Sequence, residues 1–181
     1  MSRRAVFLDR DGVLNAVIVR DGKSFPPPSV AEVRILDGVP EAVNLLKEAG
    51  MLLVVISNQP DVARGTQLQE TVQAINDWLG ARLPLDRVEV CYHDDADCCD
   101  CRKPKPGLIH RSAKALGIDL EDSFVVGDRW RDIDAAKAAG CRSVWVDSGY
   151  AEKKPTDHDY RATSLLDATI WIIKQLERRK G

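Results

Sequence analysis

Residues 5–15 read AVFLDRDGVLN, an apolar run of strand length that ends at two aspartates one residue apart. Asp9 and Asp11 would repel each other if both were ionised and close, so the pair needs a neighbouring cation or a bound proton. Gly12 follows directly and leaves room for a tight turn and for a ligand to approach the backbone. The stretch therefore predicts a buried strand whose carboxyl end carries a charged site.

Short apolar runs alternate with amphipathic stretches along the whole chain. Strands are predicted at AVFL (5–8), MLLVVIS (51–57), RVEVCYH (87–93), SFVVGD (123–128) and SVWVD (143–147). Helices are predicted at 38–50 with Asp37 at its start, at 67–80, 106–117 and 129–140, each ending in a left-handed glycine, and from about Ser164 to residue 179. Repeated β-α units of this kind indicate an α/β, Rossmann-like fold with a mostly parallel central sheet and helices on both faces.

Length and composition limit the class of protein. The 181 residues are expected to form one domain, 1–181, and the irregular insertion at 16–36 is too short for a cap domain. The 26 basic and 28 acidic side chains are spread along the sequence and leave a net charge of −2, so nucleic acid is not an expected partner. The first residues lack the apolar core of a signal peptide or membrane span, so we expect a cytoplasmic protein without a membrane partner. We also expect a monomer.

Polar and charged side chains follow the predicted strands where each strand ends. In such sheets, ligands bind at the carboxyl ends of the strands, near the point where the strand order reverses. Three carboxylates, a hydroxyl, an amide and two cations share this edge, and they are Asp9, Asp11, Asp128, Ser57, Asn58, Arg102 and Lys103. This combination is what phosphoryl transfer requires, and oxygen ligands from Asp9 and Asp128 suit Mg²⁺.

The two aspartates of the first strand are predicted to have different tasks. Asp9 would attack phosphorus and form an aspartyl-phosphate, whereas Asp11 would protonate the leaving oxygen and later accept a proton from water. Ser57 and Lys103 would hold the phosphoryl oxygens. Each feature alone has a simpler explanation, because D-x-D is common in turns, SNQ (57–59) resembles a helix cap and a lysine usually lies at the surface. Their occurrence at four successive strand ends favours the catalytic interpretation.

With these segments identified, the sequence resembles the haloacid-dehalogenase-like (HAD) phosphatases over about residues 5–150. DRDGVLN, ISNQ, CRKPKPG and VVGDRWRDI are similar to the four motifs of that family. The resemblance implies that Asp9 is the nucleophile and Asp11 the acid/base. It also implies that Ser57 and Lys103, rather than Lys105, bind the phosphate and that Asp128 is a metal ligand. It further implies that the main-chain carbonyl of Asp11 binds Mg²⁺ and that Asp132 is a supporting carboxylate one helical turn after Asp128.

Four of the five cysteines lie between residues 91 and 101, beside His93. In a reducing compartment this crowding indicates a metal site, with a cluster of free thiols as the less favoured alternative. Generic zinc spacing pairs Cys98 with Cys101. The family pattern C-x-H…C-x-C instead implies Cys91, His93, Cys99 and Cys101 as the Zn²⁺ ligands, and we follow it. A closed site of this kind would be structural, and the zinc loop 91–101 would aim Arg102 and Lys103.

The cysteine loop narrows the resemblance to the branch that contains the D-glycero-D-manno-heptose 1,7-bisphosphate 7-phosphatases and the histidinol-phosphate phosphatases. SNQPDVARG (57–65) is similar to the heptose enzymes, whereas the short cysteine spacing is similar to the histidinol-phosphate enzymes. The expected partner is thus a small phosphorylated molecule, by preference a heptose bisphosphate and alternatively histidinol phosphate. An inactive phosphosugar-binding protein is the third possibility. Asn58, Arg102 and Arg129 are predicted to bind the rest of the substrate, while Arg64 fits a solvated loop position better.

Overall fold

The computed structural model describes residues 3–178, and it confirms a parallel sheet flanked by helices. The strands are β1 (Ala5–Leu8), β2 (Ile18–Arg20), β3 (Lys23–Phe25), β4 (Leu52–Asn58), β5 (Arg87–Cys91), β6 (Phe124–Gly127), β7 (Arg142–Val146) and β8 (Tyr160–Ala162). The α-helices are α1 (Val39–Glu48), α2 (Gln69–Gly80), α3 (Gly107–Leu116), α4 (Trp130–Ala139) and α5 (Leu165–Arg178). Residue 179, the predicted end of the last helix, lies outside the described residues.

The central sheet has six strands in the order β5-β4-β1-β6-β7-β8, all parallel. Phe7 in β1 is paired with Val54 on one side and Val125 on the other. The chain moves outward from β1 to β4 and β5, then returns to place β6 on the free side of β1. The strand order therefore reverses between β1 and β6, which is where a ligand crevice is expected in this architecture.

Two hydrophobic layers cover the sheet, one on each face. Alternate side chains of β1 enter different layers, with Val6 and Leu8 in one and Phe7 in the other. The first layer includes buried residues of α1, α2 and α5, and the second includes buried residues of α3 and α4. Each fully buried large apolar side chain contributes about 1.5–3 kcal/mol, so both layers hold β1 firmly in the centre of the sheet.

The prediction of an irregular segment at 16–36 is wrong in part. β2 and β3 form an antiparallel hairpin in which Ile18 is paired with Phe25. The turn residues Asp21 and Gly22 have φ angles of 50° and 72°. Two positive φ angles in an Asp-Gly turn are typical of a two-residue hairpin, so the sequence did contain a signal for it. A sixth sheet strand, β8, was also not predicted, because YRA is short and polar.

Helix ends were predicted correctly where glycine takes a left-handed conformation, as at Gly117 and Gly140. The same prediction is wrong for Gly80, which is the last residue of α2 and is followed by a right-handed cap at Ala81. The chain continues turning there because Leu83 donates its N–H to Leu79 and reaches the core. At the start of α1 the capping position is Gly38 rather than the predicted Asp37. Among residues 3–178, no helix has the length and apolar character to cross a membrane.

Candidate active site

The reversal of strand order brings two aspartates together. Asp9 follows β1 and its N–H donates to the Val126 carbonyl at 2.9 Å, which extends the pairing with β6. Asp128 follows β6, and its carbonyl accepts from Trp145 Nε1 at 3.2 Å. Carboxylate oxygens of Asp9, Asp128 and Asp132 lie within 4.8 Å of one another. Together with Lys103, these residues form what we call the strand-end group.

Lys103 lies at the centre of this group. Its Nζ donates to Asp9 Oδ1 at 2.8 Å, to Asp132 Oδ1 at 2.6 Å and to the Ile56 carbonyl at 2.8 Å. The side chain is only 3% exposed, so the ammonium depends on these partners for its charge balance. Burial works to lower the pKa of Lys103, but Asp132 and Asp9 outweigh it and the pKa is raised. Lys103 is therefore a permanent cation at this site.

The carboxylates of the group are electrostatically strained without a further cation. Burial and the charge of Asp132 raise the pKa of Asp9 to about 6, although Lys103 acts in the opposite direction. Burial, with contributions from Asp9 and Asp132, raises the pKa of Asp128 well above its ordinary value. Neither oxygen of Asp128 has a hydrogen-bond partner among the described residues, although the Tyr150 hydroxyl is close enough to lower its pKa. A buried, unpartnered carboxylate beside a second one is the environment that a divalent cation stabilises.

The donor atoms fit a small, hard cation held between Asp9 and Asp128. Asp132 is already engaged on both oxygens, since Oδ1 accepts from Lys103 and Oδ2 accepts from the N–H of Arg129 at 3.1 Å. Gly12 borders the same space, because a Cβ at that position would lie 1.9 Å from Asp128 Oδ2. Residue 12 must therefore lack a side chain for Asp128 to occupy its position.

The Asp11 side chain points to a different set of partners. Arg10 forks onto it with Nε and Nη2 at 2.8–3.2 Å, and Asn15 Nδ2 donates at 2.9 Å. Gln59 Nε2 donates at 2.7 Å. The side chain of Arg10 is fully buried and also donates to Asn76 on α2 at 3.0 Å. All of these neighbours donate hydrogen bonds, so both carboxylate oxygens of Asp11 are engaged within the protein.

Gln59, the residue directly after β4, connects Asp11 to the predicted phosphate ligand Ser57. Gln59 Nε2 donates to Ser57 Oγ at 2.9 Å as well as to Asp11, and sequence reasoning gave Gln59 no role. Ser57 is buried near the end of β4. Asn58 clasps the backbone of Lys103, donating to its carbonyl and accepting from its N–H, both at 3.1 Å. The structure thus engages the Asn58 amide in holding Lys103 rather than leaving it to a ligand.

The cysteine cluster, defined as Cys91, His93, Cys99 and Cys101, begins at the last residue of β5 and otherwise lies in the loop that follows. The three Sγ···Sγ distances are 3.1, 3.6 and 3.7 Å, and His93 Nδ1 lies 3.6 Å from Cys91 and 3.4 Å from Cys101. A tetrahedral zinc site with bonds of about 2.3 Å separates its sulfurs by about 3.8 Å, close to this arrangement. Cys98 is exposed and outside the cluster.

The backbone of the cysteine cluster favours a thiolate at Cys99, whereas burial raises the pKa of Cys91 and of Cys101. Burial raises the pKa of Cys99, but the main-chain N–H groups of Arg102 and Cys101 outweigh it, so the pKa is lowered. All five cysteines of the chain are free thiols, which is consistent with a metal site rather than disulfides.

A cavity of about 330 Å³ opens onto both Asp9 and Lys103. Its apolar wall comes from the β2–β3 hairpin and its flanks, with Val17, Phe25 and Pro26. Its polar lining includes the predicted Asp11, Asn58, Arg102 and Arg129, together with Arg64, Arg131, Asp95 and Glu152. Of the predicted phosphate and magnesium ligands, Ser57 and Asp128 are buried and are not part of this lining.

The arginines of the cavity are all paired with carboxylates. Arg129 forks onto Glu152 at 2.7 and 2.9 Å, so its predicted contact with a ligand would have to compete with that pair. Sequence reasoning missed Glu152 because it lies in a loop without periodicity, 23 residues further along the chain. It also missed Arg131, which lies in the first turn of α4 and was indistinguishable from a solvated helix residue.

Comparison with known proteins places this arrangement in context. A HAD-hydrolase-like family model matches residues 100–168. The D-glycero-β-D-manno-heptose-1,7-bisphosphate 7-phosphatase of Haemophilus ducreyi is 34% identical over 190 residues, covering 95% of this chain and 100% of that protein. Its counterpart in Pasteurella multocida is 35% identical over 193 residues, covering 99% and 100%. The structure of D,D-heptose 1,7-bisphosphate phosphatase from B. bronchiseptica, complexed with magnesium and phosphate, matches with a TM-score of 0.77 and 29% identity, covering 95% of this chain and 99% of that one.

Proposed function

This chain belongs to the HAD-like phosphatases, in the branch of the heptose bisphosphate phosphatases, and we propose that it removes the 7-phosphate of a D-glycero-D-manno-heptose 1,7-bisphosphate. The observation that carries the proposal is the position of Asp9, beside Asp128 and in contact with Lys103, on the floor of a cavity lined by arginines. Such an enzyme is a phosphoric monoester hydrolase and would supply a precursor of lipopolysaccharide.

Asp9 is proposed as the nucleophile. One of its carboxylate oxygens attacks phosphorus, the bond between phosphorus and the sugar oxygen breaks, and the departing oxygen takes a proton from Asp11. Water then attacks the aspartyl-phosphate, the bond between phosphorus and Asp9 breaks, and Asp11 accepts the proton from water. Lys103 and Ser57 hold phosphoryl oxygens as their charge develops.

Asp11 must change its partners to act as the acid. In the substrate-free arrangement its oxygens accept from Arg10, Asn15 and Gln59. We propose that the protonated carboxyl leaves its contacts with Gln59 and Arg10 and turns toward the leaving oxygen. Gln59 would then remain bonded to Ser57.

Two metals fit the donor sets described above. Asp9 and Asp128, with the main-chain carbonyl of Asp11, would hold Mg²⁺, and the unpartnered oxygens of Asp128 support this assignment. Bound there, Mg²⁺ would offset the negative charge of the transferring phosphoryl group. Cys91, His93, Cys99 and Cys101 would hold Zn²⁺ in a closed structural site.

Histidinol phosphate remains the second candidate substrate, because the cysteine loop is short. The cavity argues against it, since Arg64, Arg102, Arg129 and Arg131 line the space beyond the strand-end group. Because these arginines are all paired with carboxylates, they do not exclude the ammonium group of histidinol phosphate, but a second phosphate can replace a carboxylate on them and gain a contact that histidinol phosphate lacks. An inactive binding protein is the third possibility. We further propose that residues 1–181 act as one domain, as a cytoplasmic monomer without a nucleic-acid or membrane partner.

Phosphate release from a heptose 1,7-bisphosphate and from histidinol phosphate, with and without Mg²⁺, tests the proposal. We expect Mg²⁺-dependent release, with the higher kcat/KM on the bisphosphate. Asp9→Asn should lose at least about 10³-fold in kcat while retaining its circular dichroism spectrum. Asp134→Asn, on the same helix as Asp132, serves as the matched control and should retain the parental rate.

Each alternative has its own outcome in this experiment. A higher kcat/KM on histidinol phosphate would show that the substrate assignment is wrong. Turnover by Asp9→Asn near the parental rate would contradict the role of Asp9. Binding of both compounds without Mg²⁺-dependent hydrolysis of either would identify an inactive binding protein.

A further inference from the structure

Two arginines of the cavity share one exposed carboxylate. Arg102 Nε donates to Asp95 Oδ1 at 2.7 Å, and Arg131 Nη1 donates to the same oxygen at 3.3 Å. Asp95 lies in a short 3₁₀ turn (Asp95–Asp97) of the cysteine loop. All three side chains line the cavity that contains Asp9 and Lys103. An anion is therefore already bound between these arginines, and the protein itself supplies it.

The two arginines are less exposed than the carboxylate that they share, at 10% and 28% against 60%. The side chain of Arg102 is 10% exposed, and its Nη1 also contacts the His93 carbonyl at 3.4 Å. Arg131 contacts the Lys103 carbonyl at 3.4 Å. The side chain of Asp95 is 60% exposed, so water screens its attraction to both guanidinium groups. A phosphate dianion carries more charge and more acceptor oxygens than one carboxylate, and it can displace Asp95 without moving the arginines.

The other arginines of the cavity are occupied differently. Arg64 places Nε and Nη2 on the two oxygens of Asp94, both at 2.7 Å, and Arg129 forks onto Glu152 in the same way. These forks are filled by carboxylates of matching geometry. Arg131 instead uses only Nη1 in its contacts with Asp95 and Lys103. Among the arginines of the cavity, the pair Arg102 and Arg131 therefore has the most N–H groups left to donate to a further anion.

Chain connectivity places this pair next to the reacting centre. Arg102 directly precedes Lys103, and Arg131 directly precedes Asp132, so each arginine adjoins a member of the strand-end group. A phosphorylated molecule with its reacting phosphate at Asp9 can reach the pair with a second phosphate only within this same cavity.

We propose that Arg131 joins Arg102 in binding the second, non-reacting phosphate of the substrate, and that Asp95 occupies this position until the substrate displaces it. The inference rests on the proposed function, because it requires a bisphosphate. It makes Arg131 a specificity-determining residue and Asp95 an internal competitor for the same site.

The test is the ratio of kcat/KM for a heptose 1,7-bisphosphate to kcat/KM for the corresponding heptose 7-phosphate. Arg131→Gln is expected to lower this ratio about tenfold, and Arg131→Lys should restore part of it. Asp95→Asn keeps an oxygen that can accept from both arginines but removes the charge, so it should raise the ratio about threefold. Arg82→Gln, which removes an exposed arginine of the α2 end outside the cavity, should leave the ratio unchanged.

The outcomes separate this inference from the proposed function. If the parent enzyme hydrolyses both sugars but Arg131→Gln keeps the parental ratio, Arg131 does not bind the second phosphate. A lower ratio in Asp95→Asn would show that Asp95 only positions the arginines and does not compete with substrate. If the parent enzyme releases phosphate from neither sugar, the proposed function fails, and this inference fails with it.

Discussion

The strand-end group and the cysteine cluster both consist of side chains that bind metal ions, but the fold supports them in different ways. Asp9 and Asp128 follow adjacent central strands, and Lys103 already offsets part of their charge. The cysteine cluster lies in a loop whose regular structure is limited to one 3₁₀ turn. Removal of the proposed zinc should therefore disorder the loop, whereas removal of the proposed magnesium between the aspartates should abolish activity and leave the fold intact. A metal can thus serve chemistry where the sheet sets the geometry and serve folding where it does not.

Replacing Lys103, the buried cation of the strand-end group, tests whether the fold sets the geometry of this group. We expect the largest effect from this change. Lys103→Met leaves the carboxylates of Asp9 and Asp132 without their shared donor in a buried site. The free energy of unfolding at pH 7 should fall by about 3–5 kcal/mol, and kcat should fall by at least about 10³-fold. Urea denaturation and phosphate release measure the two effects. Lys137→Met, which removes an exposed ion pair with Asp157, should change stability by less than about 0.5 kcal/mol.

Gly12→Ala tests whether the sheet sets the position of the metal carboxylate. The new Cβ would lie 1.9 Å from Asp128 Oδ2, and the φ of 89° is itself unfavourable for alanine. The Mg²⁺ concentration for half-maximal activity should rise by about 10²-fold because Asp128 must move. Gly50→Ala has a similar φ of 79° but open space around its Cβ. Gly50→Ala should keep the parental Mg²⁺ requirement, and an equal requirement in Gly12→Ala would show that the contact with Asp128 does not set the affinity for Mg²⁺.

Cys99→Ser and Cys98→Ser sharpen the second half of the comparison. Cys99 belongs to the cysteine cluster, and its neighbour Cys98 is exposed outside it. Cys99→Ser should lose bound zinc and lower kcat/KM by about 10-fold to 100-fold, because the loop also carries Arg102 and Lys103. Cys98→Ser should retain about one zinc per chain and the parental activity. Metal analysis of the purified variants decides the matter, and the reverse result would assign Cys98 as the ligand.

Gln59→Leu gives the smallest expected effect, since Gln59 contacts Asp11, the proposed acid/base, rather than the strand-end group. It removes one donor from Asp11 and one from Ser57 in a buried site. We expect kcat to fall about fivefold to tenfold with little change in the Mg²⁺ requirement. Gln59→Glu should be worse, because it places a like charge beside Asp11. Equal activity of the leucine variant and the parent would show that Asp11 does not depend on Gln59.

The sequence predicted the parts of the molecule that depend on long apolar runs. Five strands of the sheet were predicted: β1, β4, β6 and β7 contain runs of buried side chains, whereas β5 buries only alternate residues. The position of Asp9 and Asp128 followed from the rule for strand ends. β8 was not predicted, because its three residues at the edge of the sheet are too few to show an apolar run or an alternating pattern. Side chains brought in by loops were also missed, such as Glu152, because no local pattern relates it to Arg129.

The side-chain network around the aspartates was beyond sequence reasoning for a related reason. Gln59 lies just past β4, where a polar residue is equally typical of a turn, and only the fold shows that it connects Asp11 with Ser57. Likewise, the predicted ligand Asn58 is committed to the backbone of Lys103. Residue type and strand position predict which groups share an edge, but hydrogen-bond partners depend on side-chain directions that only packing decides.

The bond from Trp145 Nε1 to the Asp128 carbonyl gives the protein an intrinsic optical reporter. The emission of an indole depends on the field around it, and this indole is buried and anchored to the residue that cation binding would affect most directly. Trp78 and Trp171 pack against the layer formed by α1, α2 and α5. A variant in which Trp145 is the only tryptophan would therefore allow cation loading to be followed in real time, without substrate and without a label.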